Sequence, residues 1–117
     1  MKEIDNRISI ITKACDDKRG FDIKVLNISK LTSIADYFII VSGNATTQVA
    51  AIADEVEEKM GRAGFDIKHK EGYGTNRWIL LDFGDIIVHV FHKEDREFYK
   101  LERLWADGEE IDIDFID

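Results

Sequence analysis

Two short stretches of the chain hold residues whose types and spacing invite a chemical reading. His89 and His92 form H-x-x-H, which suggests a shared metal ion. They fall within DIIVHVFH, however, which reads as a β-strand, and strand positions three apart point to opposite faces. The pair therefore cannot chelate one ion without a bulge. His69 is remote in sequence and Cys15 lies on the first helical segment, so no ligand set is completed. Most histidines are structural or surface groups, and these are read the same way. Asp82-Phe83-Gly84 spells DFG, but a kinase would also need a glycine loop, an HRD segment and far more chain. Neither a metal nor any other cofactor is expected.

A third stretch, Ser42-Gly43-Asn44, precedes a helical pattern and could cradle a phosphate, because helix N-termini attract anions. A small nucleotidyltransferase would use such a turn together with paired carboxylates holding Mg²⁺ on a neighbouring strand. Asp82 and Asp85 instead flank a turn, and no D-x-D sits on a strand after this helix. An ordinary capped helix is the favoured reading, with the enzyme kept as a rival.

These residues are positioned by elements legible in the hydrophobic pattern. Ile4, Ile8, Ile11 and Cys15 recur at helical spacing, predicting a first helix from about Lys2 to Lys18, stopped by Gly20. FDIKVLNIS alternates as an amphipathic strand, with a slip before Ile28. The near-continuous apolar run Asp36 to Gly43 suits a central strand buried on both faces. A second helix, capped by Asn44 or Thr46, buries Val49, Ile52, Val56, Met60 and Ala63, and ends at Gly61 and Gly64. IKHKEG is a short edge strand whose lysines discourage sheet-to-sheet pairing. Two further strands, RWILLDF and DIIVHVFH, precede a final helix, KEDREFYKLERLW, carrying Phe98, Leu101 and Trp105 on one stripe. The order α-β-β-α-β-β-β-α predicts a single α+β domain, a mixed five-stranded sheet with helices mainly on one side.

Length, charge and cysteine usage narrow the function classes. A chain of 117 residues fits one domain and buries roughly two-thirds of its unfolded surface, enough to fold without staples. One cysteine allows no internal disulfide, which suits a reducing cytosol. The start MKEIDNRISI lacks the apolar core of a signal peptide, and no run approaches the ~20 apolar residues of a membrane span. A cytoplasmic location without membrane partners is therefore expected. The net charge is −8, and six of the negatives, from Asp107 to Asp117, follow Trp105 with no basic residue among them. Residues 1–105 read as the domain and 106–117 as an acidic tail, either disordered, an added edge strand through Ile111, Ile113 and Phe115, or an arm for basic partners. Phosphate backbones recruit Lys and Arg, so direct sequence-specific nucleic-acid binding is not expected. A basic protein remains a suitable contact.

The last two strands meet at Asp82-Phe83-Gly84-Asp85, a two-residue hairpin in which Gly84 can take positive φ. With Phe83-Gly84 as the loop, Asp82 faces Asp85, Leu80 faces Ile87 and Trp78 faces His89. Alternation turns Ile79, Leu81, Phe83, Ile86, Val88 and Val90 to a purely apolar face that helices must cover. The other face displays Trp78, Leu80, Asp82, Asp85, Ile87, His89 and Phe91, large apolar groups with a few charges, as in a protein interface. Like charges directly opposed cost up to ~1 kcal/mol, which a cationic partner would relieve. A plainer reading places Trp78 and Leu80 beneath a helix and leaves the aspartates to solvate the turn.

Across about Asp22 to Trp105, the chain resembles the ribosomal silencing factor family (RsfS, also called Iojap). The likeness runs through ADYFIIVSGNATTQVAAIADEVEEK, Glu71-Gly72, Trp78 and LLDFGDIIVHVFHKEDREFYKLERLW. It implies a degenerate nucleotidyltransferase-like fold without catalysis, and self-association as a homodimer. It further implies translation repression by binding ribosomal protein L-fourteen on the large ribosomal subunit, which blocks joining of the small subunit. An assembly role on the large subunit is the alternative. By position, the family's shared surface motif falls on Trp78, Leu81, Asp82, Asp85, His89, Arg96, Tyr99 and Trp105. Leu81 conflicts with the inward orientation given by the hairpin pattern.

Overall fold

The computed structural model describes residues 6–111. Helix α1 (Asn6–Asp17) is followed by strands β1 (Phe21–Asn27) and β2 (Tyr37–Gly43), then helix α2 (Thr46–Arg62). Strands β3 (His69–Glu71), β4 (Trp78–Asp82) and β5 (Ile86–His92) come next. Two short helices, α3 (Lys93–Tyr99) and α4 (Leu101–Leu104), lead to a final strand, β6 (Glu109–Ile111). The sheet order is β3-β4-β5-β2-β1-β6, so it holds six strands where five were expected. The additional strand lies in the acidic segment: β6 runs antiparallel to β1, with Val25 opposite Ile111. Ile113 and Phe115, the other residues of the expected edge strand, lie outside the described residues, as do Lys2 to Asp5 of the expected first helix.

The central pair β2 and β5 is parallel and every other pairing antiparallel, which makes the sheet mixed. Both central strands are buried almost throughout, as an apolar run without alternation requires when both faces are covered. Helices α1 and α2 cover one face. Ile8, Ile11 and Cys15 of α1 and Val49, Ile52, Val56 and Met60 of α2 close over Ile79, Leu81, Val88 and Val90. The reverse face carries a second cluster around Phe38, Ile40, Ile87 and Phe91, only partly roofed by Leu101 and Trp105.

Several local expectations are corrected. Neither Asn44 nor Thr46 caps α2; its N-cap is Ala45, with no side-chain hydrogen bond. Gln48 does the bridging instead, accepting from the Asn44 N–H while its Nε2 donates to the Lys18 and Arg19 carbonyls at 3.1 and 2.9 Å. The expected C-terminal helix is broken at Lys100, whose left-handed φ of 50° caps α3 and redirects the chain into α4. As a result Leu101 is buried while Phe98, expected on the same stripe, is 79% exposed.

The β4–β5 hairpin is also re-registered. Trp78 faces Phe91, Leu80 faces His89 and Asp82 faces Ile87. Phe83 N–H donates to the Ile86 carbonyl at 2.9 Å, which makes Gly84-Asp85 the loop, with Gly84 at φ 101° in the first turn position. The two aspartates are therefore not directly opposed across the ladder, as the expected register had them. Face assignment of the strand residues survives, because every partner moves by two residues, an even shift that keeps parity, whereas Asp85 passes into the turn.

Within α2, Gly61 has open space around the position a Cβ would take. A helical glycine sacrifices backbone entropy relative to alanine. Gly61→Ala is expected to raise stability by about 0.5–1 kcal/mol, read as a higher midpoint in urea with an unchanged slope.

Candidate functional site

The partly roofed sheet face is built from three rungs of directly opposed residues. One runs His69–Asp82–Ile87–Phe38–Leu26–Glu110. The next runs Glu71–Leu80–His89–Ile40–Lys24, and the third Trp78–Phe91–Ser42. Each rung that crosses the sheet is largely apolar in the middle and ends in polar or charged residues, the apolar centre and polar rim of a protein interface.

Aromatic rings run in a continuous chain over this face. Phe98 meets Tyr99 edge-on at 5.1 Å, and Tyr99 reaches Trp78 at 5.0 Å. Trp78 stacks on Phe91 at 4.6 Å and lies 6.0 Å from His89. His89 meets Phe38 edge-on at 4.7 Å, and Phe38 meets Trp105 at 5.1 Å. Trp78, Leu80 and Trp105 are half-buried, while Phe98, Leu104 (76% exposed), Ile34, Tyr99 and Leu31 stand in solvent. Of these, Phe98 and Tyr99 continue the ring chain into solvent, and large exposed apolar groups joined in this way mark a binding surface more often than an idle one.

His89 sits under the chain, only 4% exposed. Trp78 Nε1–H donates to its Nδ1 at 3.1 Å. Indole nitrogen is a donor only, so Nδ1 is unprotonated and the neutral ring carries its proton on Nε2. That Nε2 is buried and lacks a hydrogen-bond partner among the described residues. Burial pushes the imidazole pKa down from 6.5 to about 4. A histidine depressed in the folded state binds its proton first in the unfolded chain, so its contribution is full above pH 6.5 and is lost as pH falls towards 4. The wild type should lose roughly 3 kcal/mol from this group over that window. Urea titrations of wild type and His89→Gln should therefore converge as the pH is lowered from 7 to 4. Parallel curves would show that His89 does not titrate against folding.

The remaining expected site residues occupy different environments. Leu81 is fully buried beneath α1 and α2, on the side opposite Trp78, as the hairpin pattern indicated and the carried-over surface motif did not. Asp82 shares the face of Leu80, and its Oδ1 accepts the Gly84 N–H at 2.7 Å, bracing the turn. Asp85, in that turn, holds Arg7 of α1 through two hydrogen bonds of 2.6 and 2.9 Å. Arg96 is 8% exposed; it donates to the Asp22 carbonyl at 2.6 Å and to Ser42 Oγ at 2.8 Å, and pairs with Glu102. Trp78, Leu80, Asp82, His89, Tyr99 and Trp105 thus converge on one face, whereas Leu81, Asp85 and Arg96 support its framework.

Phe38, Phe98 and Leu104, also on or beside this surface, were not singled out from sequence. Phe38 read as one more residue of a buried strand, and Phe98 and Leu104 as part of a single packed helix. His92, three positions after His89, caps α3 by accepting the Glu94 N–H at 3.2 Å. Among the described residues no three His, Cys, Asp or Glu side chains converge for a metal, and no helix is long and apolar enough to cross a membrane.

Comparison with known proteins places these features. The family described as "Ribosomal silencing factor during starvation" matches residues 1–117. Ribosomal silencing factor RsfS of Bacillus subtilis is 45% identical over 108 residues, covering 92% of each chain. Protein Iojap of Zea mays, a chloroplast protein, is 31% identical over 90% of this chain and 46% of its own length. A crystal structure of a Chromobacterium violaceum protein superimposes with a TM-score of 0.86 at 36% identity, covering 99% of this chain and 94% of that one. One from Bacillus halodurans gives 0.82 at 38% identity, covering 92% and 98%.

Proposed function

The chain belongs to the ribosomal silencing factor family, and from that membership we propose that it represses translation by binding, not by catalysis. Its partner is ribosomal protein L-fourteen on the large ribosomal subunit, and docking there leaves the body of the domain where the small subunit must approach. The supporting observation is the aromatic chain from Phe98 to Trp105 across a sheet face that α3 and α4 leave open. Trp78 is its natural anchor, since tryptophan is the type most enriched among binding hot spots. Leu80, His89, Tyr99 and Trp105 form the apolar surround, and Asp82 offers a carboxylate at the rim to a basic partner. Leu81, Asp85 and Arg96 act from beneath as structural supports. On this reading the fold is a nucleotidyltransferase-like frame that has kept no catalytic centre, and the protein works in the cytoplasm. The same exposed face would also serve a homodimer, in exchange with the ribosomal partner.

Light scattering of purified ribosomal subunits tests the proposal. Added protein should lower the yield of joined ribosomes with a midpoint near its affinity for isolated large subunits, and preloaded L-fourteen fragment should reverse the effect. Normal subunit joining at saturating protein would refute occlusion. Co-sedimentation with assembly precursors but not mature large subunits would favour the assembly reading.

A further inference from the structure

Helix α3 is only seven residues long, well short of the ~12–15 that an isolated helix needs to persist in water. Its place over β5 and β2 must therefore come from contacts at its flanks. Two consecutive side chains supply them in opposite directions. Arg96 reaches towards β1 and β2, donating to the Asp22 carbonyl and to Ser42 Oγ. Asp95 reaches towards the start of β4, where its Oδ1 meets the Arg77 guanidinium at 2.6 Å. Arg77 also touches Glu94 at 3.4 Å, and its backbone carbonyl accepts the His92 N–H at 2.8 Å.

Arg77 immediately precedes Trp78, and Asp95 lies one helical turn before Tyr99. Positions i and i+4 share a helix face, so α3 turns Asp95 and Tyr99 to one side, where Arg77 and Trp78 meet them. The ion pair and the 5.0 Å ring contact are thus two successive links between the same two segments. Tyr99 is the last residue of α3, and Lys100 at φ 50° turns the chain away directly after it. No further helical turn steadies the ring, so its position depends on the link one turn earlier. Acidic residues in a first turn also suit the helix dipole. Exposed Glu94 meets that need, whereas half-buried Asp95 is aimed at the residue beside Trp78.

We propose that Arg77 and Asp95 are positioning residues, which hold Tyr99 and the neighbouring Phe98 against Trp78 and so preorganise the docking face. The inference rests on the reading of that face as the large-subunit binding site. A ring already in place spares the ordering cost of docking, worth about three- to tenfold in affinity for one immobilised side chain. Global stability should hardly depend on the pair, because Arg77 is 43% exposed and such ion pairs contribute little in water.

Sedimentation binding to purified large subunits and the indole N–H resonances of the full chain test this together. Arg77→Ala and Asp95→Ala should each weaken binding about three- to tenfold with an unchanged melting temperature. The double variant should be no weaker than either single one, as expected for two halves of one interaction. Tyr99→Ala should also weaken binding, and adding Asp95→Ala to it should have no further effect, because Asp95 acts through Tyr99. Glu94→Ala, which removes only the longer contact, should bind as the wild type does. In both Arg77→Ala and Asp95→Ala the Trp78 resonance should shift as the Tyr99 ring leaves it, while that of Trp105 stays in place. Additive losses in Asp95→Ala with Tyr99→Ala would mean that Asp95 meets the partner directly, and would overturn the proposal. So would an unmoved Trp78 resonance, or wild-type affinity in both Arg77→Ala and Asp95→Ala. Failure of the wild type itself to bind large subunits would refute the docking reading instead, and the Trp78 resonance would then decide the positioning role alone.

Discussion

Trp78→Ala should abolish co-sedimentation with large ribosomal subunits while leaving a folded protein. Its indole makes the central contacts of the aromatic chain, to Phe91, Tyr99 and His89, and remains half-buried in the free protein. Docking would complete its burial, and truncating such an anchor typically costs at least ~2 kcal/mol, a loss of about thirtyfold in affinity. The folding cost should stay below the ~3–5 kcal/mol of a fully buried tryptophan, because solvent already covers part of the ring. Leu81→Ala supplies the contrast. That side chain is wholly enclosed by the α1–α2 core, so its truncation should cost ~2–5 kcal/mol of stability. Binding per folded molecule should stay at the wild-type level. Gradient sedimentation and urea titration of the two variants separate these outcomes. Loss of binding in Leu81→Ala with its stability intact would return that residue to the interface.

The contrast shows what the amino-acid pattern could and could not reveal. Strict alternation through RWILLDF and DIIVHVFH assigned the strand side chains of the hairpin to their faces, because a face depends only on parity, but it misplaced Asp85, which lies in the turn and holds Arg7 of α1. Register depends on which two residues form the turn, and Gly84 suits either the first or the second turn position. The structure resolves this through Phe83. Its ring is buried with Leu81 and Ile86 in the helix-covered core, so it stays in the ladder and Gly84-Asp85 become the loop. The break at Lys100 has no glycine or proline to announce it. Strand β6 is one of three readings that the acidic segment allows, because alternating Ile111 favours a strand while the surrounding carboxylates favour solvent; only its pairing with β1 decides. Arg96 and Arg7 illustrate the same limit: nothing local distinguishes a guanidinium that locks the framework from one that meets a partner. Only the position of the Asp22 carbonyl, Ser42 and Asp85 in three dimensions decides.

Gly72→Ala should remove binding by a route that Trp78→Ala does not use. Gly72 ends the short β3 strand at φ 97°, and a Cβ there would lie 2.0 Å from the Trp78 carbonyl oxygen and 2.9 Å from its carbonyl carbon. Both are backbone atoms, so no rotamer change relieves the clash and the β3–β4 connection must part. Left-handed strain alone costs ~1–3 kcal/mol, and the overlap adds to it. Strand β3 is a three-residue edge strand, exposed throughout, so the loss should stay local. Amide exchange should rise across β3 and the start of β4, while β2, β5 and α2 keep their protection. Trp78 would then lose its place above His89, and large-subunit binding should fall as far as in Trp78→Ala. Gly74→Ala separates strain from collision: its φ is 115°, but nothing lies within 4 Å of the added Cβ. That variant should lose only the strain term, about 1–2 kcal/mol, and retain binding. Equal behaviour of the two glycine variants would mean that close backbone approach at Gly72 does not hold Trp78 in place.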